Sequence, residues 1–148
     1  MLARPAFQEP QWGDAPPPLA SEITEITLTH RLCRGVCTEE RIAFRRDGLA
    51  ARSFWTRNNE DSSFNASIDS AAFAQLAAQF LRHDFFRGHR EGEDEALFSN
   101  DVYVLSVATL CRRKTDTVGT PWLRFGTELR VAVDTVVSSL AWERCCRY

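Results

Sequence analysis

Cysteine is the residue type in this chain with the most chemistry to offer. Five are present: Cys33, Cys37, Cys111, Cys145 and Cys146. An odd number leaves at least one thiol free or bonded to another molecule. Cys33 and Cys37 bracket Arg34-Gly35-Val36. Gly35 permits a tight bend, which brings two sulfurs toward the roughly 5.5–6 Å Cα spacing of a disulfide. Three arrangements fit this motif. The cysteines can be small buried residues flanking a strand crossover. They can form a structural or reversible disulfide. They can also be half of a zinc-type site, for which a three-residue spacer is allowed. A tetrahedral site needs more ligands, and only His30, Cys111 or the Cys145-Cys146 pair can supply them. No second ligand pair at matching spacing is present, so the metal is unknown.

Other catalytic chemistry is harder to find. A cysteine nucleophile needs a base nearby. His30 stands three residues before Cys33, and His83 and His89 flank the end of a helix, without a recognisable Cys/His context. No Gly-rich phosphate loop, no H-E-x-x-H and no G-x-S-x-G is present, so no cofactor is implied. Arg41, Arg45, Arg46, Arg52 and Arg57 crowd one hairpin. They suit an anionic partner, or solvated charges that guard an edge strand against pairing.

These residues must be positioned by the elements around them. Ile26, Leu28 and Leu32 alternate with Thr27, Thr29 and Arg31, which predicts a half-buried strand with His30 on its apolar face. After a short cysteine-bearing link, Arg41–Arg45 and Leu49–Trp55 form a hairpin around Asp47-Gly48, where glycine supplies positive φ. Phe64, Ala66 and Ile68 make a fourth strand. Asp69 or Ser70 caps a helix with Phe73, Leu76, Ala77 and Phe80 on one stripe. Glu91 to Glu95 reads as a solvated acidic loop. Residues 102–118 form a second hairpin turning at Arg112-Arg113, with Cys111 in a central strand. Thr120-Pro121 starts a last helix, or Thr127 does because Gly126 weakens the early part. Its stripe is Leu129, Ala132, Val133, Val136, Val137 and Leu140.

The order β-ββ-β-α-ββ-α predicts a two-layer α+β domain. Its antiparallel or mixed sheet has about six strands, with two helices on one face. The other face stays partly wet and offers a ligand or partner surface. The domain spans residues 22–142. Residues 1–21 form a proline-rich extended tail from which Phe7 and Trp12 dock on the domain or on a partner, and 143–148 form a C-terminal tail.

Composition bounds the function. The 148 residues carry a net charge of −2, with 44% hydrophobic and 26% charged residues, as expected of one globular domain. Of the 18 lysines and arginines, all but Lys114 are arginine. A pI near 5.9 disfavours a basic-patch nucleic-acid binder. No secretory signal and no run of about 18 apolar residues is visible, which points to the cytoplasm and mostly reduced thiols. An unpaired hairpin edge allows a homodimer by strand addition.

The Cys33-x-Gly35-x-Cys37 motif, the strand after it and Asp47-Gly48 together resemble the start of an uncharacterised bacterial family, domain of unknown function 6438. The helix closing on Phe85-Phe86, a hairpin ending near Lys114, Pro121 and the long last helix extend the resemblance over about residues 22–142. Thr38 stands where the family has proline, Glu40 where it has tyrosine, and Arg34 where an aromatic is usual. Many members look exported or lipid-anchored, so the resemblance implies an exported or periplasmic setting if a leader was removed. It implies no activity. The resulting expectation is a non-enzymatic module that binds a protein or small ligand, with Cys33 and Cys37 as a structural or redox clamp. The alternative is a thiol-dependent redox or metal-binding protein using Cys33, Cys37 and Cys111.

Overall fold

The computed structural model describes residue 12 and residues 15–56, 62–83, 85–86, 101–118 and 126–145. A 3-10 turn at Ala20–Glu22 leads into β1 (Ile23–Arg34), followed by β2 (Val36–Arg45), β3 (Leu49–Thr56) and β4 (Ser62–Ser67). Then come α1 (Ser70–Arg82), β5 (Asp101–Thr109), β6 (Arg113–Val118), α2 (Gly126–Ser139) and β7 (Glu143–Arg144). All strands pair antiparallel in one sheet, in the order β6-β5-β1-β2-β3-β4-β7. The architecture is α+β, with seven strands where the sequence suggests six. The extra one is β7, too short for any periodicity to reveal, held by pairing with Phe64 and Asn65 of β4.

The alternation in β1 sets the layers. Ile26 and Leu28 face the helices, opposite Phe44 and Ile42 of β2 and Val107 and Leu105 of β5. Phe73, Leu76, Ala77 and Phe80 of α1 and Leu129 and Val133 of α2 join them in one buried cluster. α1 starts where the sequence places it, because the Asp69 carboxylate accepts from the Ala71 amide at 3.0 Å. Gly48 adopts φ +101° in the β2–β3 turn, where the Asp47 carboxylate accepts from the Leu49 amide and pairs with Arg45. Trp12 docks on the domain and is buried, with its ring 4.7 Å from that of Phe86 and its indole N–H donating to the carbonyls of Ala15 and Pro16.

Several local expectations change. The cysteines do not sit in a link. β1 and β2 form a continuous hairpin in which Cys33 opposes Cys37 and Arg34 opposes Val36 across Gly35 at φ +83°. Cys111 is not in a central strand. β5 ends at Thr109, and Cys111 is exposed in the turn to β6, whose backbone is held by the Thr109 hydroxyl accepting from the amides of Cys111 and Arg112. The arginine-rich β2–β3 hairpin lies inside the sheet and guards no edge. Arg46 turns inward instead, donating to the carbonyls of Ile23 and Ala20 with its guanidinium 5.1 Å from the centre of the Phe73 ring. Phe7, the acidic loop 91–95 and the start at Thr120-Pro121 lie outside the described residues. α2 is described from Gly126 onward.

Candidate functional site

The face of the sheet opposite the helices carries small and polar side chains. Thr27 and Ser106 oppose each other there and are buried, yet neither is left without a partner. The Thr27 hydroxyl donates to Glu25, and Ser106 accepts from Arg113 at 2.7 Å. Toward the β1–β2 turn the character of this face changes. Arg31 of β1, Glu39 of β2 and Trp55 of β3 stand directly opposite one another on one rung. The neighbouring rung holds Arg41, Ser53 and Ser63. Together with Cys37, residues Arg31, Glu39, Ser53, Trp55 and Ser63 line a groove of about 540 Å³. Trp55 keeps 43% of its surface exposed, although an indole on a strand is ordinarily sheltered.

The disulfide closes one end of this groove. Cys33 and Cys37 are bonded across the β1–β2 ladder on the groove side, with Cα atoms 4.1 Å apart. That spacing belongs to directly opposed residues of an antiparallel pair. The cross-link locks the register of the whole hairpin. A slip of β2 by one residue against β1 would move Glu39 to the helix side and Glu40 to the groove side. Gly35 and Gly48 mark opposite ends of β2, so the two glycine turns the sequence singles out are the two tips of one meander.

His30 and Cys111 are not brought to the cysteine pair. His30 lies on the helix side of the sheet, opposite Glu40 and stacked on Tyr103 with ring centroids 4.1 Å apart and planes within 4°. Cys111 sits beyond the end of β5 that pairs with Ile23. Measured along β1 to Cys33 at roughly 3.3 Å per residue, the separation is about 30 Å. Asp47 and Gly48 serve the turn. Among the described residues no group of three or more His, Cys, Asp or Glu is placed to hold a metal ion, and no helix is long and apolar enough to cross a membrane.

Residue type alone does not mark Trp55, Glu39, Ser53 and Ser63. One signal for them does exist in the sequence. On β3, Ala51, Ser53 and Trp55 fall on the solvent side of the alternation, and a lone indole among small residues there breaks the pattern. The rows that join it to Arg31 and Ser63 are cross-strand and depend on register. No family model, curated protein or solved structure matches the chain.

Proposed function

We propose that the chain is a non-enzymatic binding module that takes a small, uncharged, hydroxyl-rich ligand in the open-face groove. In this reading the Cys33–Cys37 disulfide is the clamp at the groove's end. The observation that carries it is the Arg31–Glu39–Trp55 rung, flanked by Ser53 and Ser63. An exposed indole face accepts the C–H side of such a ligand, and the serine hydroxyls and the charged pair supply donors and acceptors around it. Within the groove lining Arg31 and Glu39 offset each other's charge, with Arg41 outside it, which favours a neutral ligand over an ion. The kinship with domain of unknown function 6438 is part of this proposal, resting on the two turn motifs at the ends of β2.

The test is a titration of neutral sugars and polyols against the oxidised protein, read by calorimetry and tryptophan fluorescence. At least one compound should bind. Trp55→Ala should weaken it by about tenfold, the worth of one aromatic contact, with an unchanged circular dichroism spectrum. Absence of binding across the panel, or equal binding by Trp55→Ala, would sink the proposal. The redox or metal alternative finds support in the bonded pair alone, since Cys111 stands at the far end of the sheet.

A further inference from the structure

A second cavity lies on the other side of the sheet, between it and α2. It measures about 220 Å³ and is lined by His30, Glu40, Arg52, Tyr103, Asp134 and Val137, with Leu28 and Ile42 at its floor. Such a concentration of ionisable side chains at the margin of an apolar core is costly unless they are paired or used. The sheet register explains how they meet. Glu40, His30 and Tyr103 share one rung, and Arg52, Ile42 and Leu28 share the next. α2 adds Asp134 and Val137 from above.

The charges have a definite arrangement. The Arg52 guanidinium donates from Nε to Glu40 Oε1 at 2.8 Å. It is held 4.8 Å from the centre of the Phe54 ring and 5.8 Å from that of Trp142. Its two Nη groups donate no hydrogen bond to any described residue. Trp142 is itself fixed, because its indole N–H donates to the Val137 carbonyl at 2.9 Å. Among the described residues Asp134 has only a 3.7 Å contact to Arg130, one turn back on the same helix. The cavity therefore presents a positioned cation with unused donors on the sheet and a weakly engaged carboxylate on the helix. An anion alone would meet Asp134 and Glu40, and a cation alone would meet Arg52.

We propose that this cavity binds a small zwitterion of the α-amino-acid class. Its carboxylate is received by the Nη groups of Arg52 and its ammonium group by Asp134. The His30–Tyr103 stack forms a wall for the side chain, and the cavity volume limits that side chain to a small one. A guanidinium already oriented by a carboxylate on Nε keeps a parallel pair of donors for a second carboxylate. This proposal does not depend on the open-face groove and stands or falls separately.

The experiment titrates the oxidised full chain with glycine, L-alanine and L-serine, and in parallel with propylamine and propionate. Binding is read by calorimetry and by the NMR signal of the Trp142 indole N–H. The amino acids should bind and shift that signal, and each single-charge analogue should bind about tenfold or more weakly. Arg52→Lys and Asp134→Asn should each weaken the amino acids by a similar factor. Val137→Phe, which fills the cavity, should abolish binding with the circular dichroism spectrum unchanged. If propylamine or propionate binds as tightly as alanine, or none of the amino acids binds, the proposal fails. It also fails if Val137→Phe binds normally. Should Val137→Phe not fold, Asp134→Asn decides, because that side chain is 65% exposed and its loss leaves the core intact.

Discussion

At the scale of single residues, the most consequential pair is Cys33 and Cys37. The bond between them closes a very short loop, so in the chain-entropy account its contribution is modest, about 2 kcal/mol. Its larger effect is on register, since it pins the end of the hairpin that presents Arg31 and Glu39 to one face and His30 and Glu40 to the other. Reducing the protein with a dithiol, or replacing both cysteines by serine, should lower unfolding stability by about 2 kcal/mol. Urea denaturation with and without reductant measures this. The reduced wild type and the double variant should coincide, and a reduced protein as stable as the oxidised one would show that the bond constrains nothing.

At the scale of elements, β1 to β4 line the open-face groove, and the helices make the sheet hold its shape. α1 packs Phe73, Leu76, Ala77 and Phe80 against the strands and depends on a cap outside that stripe. Asp69→Ala removes the side-chain acceptor for the Ala71 amide and should cost about 1 kcal/mol, read by chemical denaturation. Asp69→Asn should restore most of it, because the amide oxygen caps nearly as well. Much of this level is legible in the chain. The Asp47-Gly48 turn, the Asp69 cap and both helical stripes follow from local chemistry. The β1–β2 turn is less legible, because Arg34-Gly35-Val36 lacks the paired turn residues that announce a hairpin. The Cys-x3-Cys spacing drew attention to metal and redox chemistry instead. β7 is invisible to any pattern argument, since two residues carry no period.

At the scale of the whole molecule, the core reaches beyond the sheet and its two helices. Trp12 packs on Phe86, and the Phe86 ring meets that of Phe85, which in turn meets Phe80 of α1. Of the described residues of the proline-rich segment, Trp12 and Pro18 are buried and Ala15 packs against the core. Trp12→Ala should destabilise the domain by about 3–5 kcal/mol. Thermal unfolding checks it, and a shift within the range of surface substitutions would mean that the segment adds little. The arginines make the same point about scale. Counted along the chain they crowd one hairpin. In three dimensions Arg46 stitches the start of β1 to the β2–β3 turn, Arg52 faces the helices, and Arg31 and Arg41 face the open side.

The sequence by itself determined the class of fold and the alternation of β1, β4 and β5. It also determined which face of β1 carries His30 and which residues turn the chain at Gly48. These are local, set by side-chain periodicity and backbone sterics. Only the tertiary structure decided the strand order, and with it which residues share the groove and the cavity. Strand order puts the arginine hairpin inside the sheet. Register aligns Arg31, Glu39 and Trp55 on one rung and Glu40 beneath α2. Sheet length holds Cys111 about 30 Å from the cysteines it was grouped with. Such placements join residues far apart in the chain through pairing and packing, and no local pattern in the sequence records them.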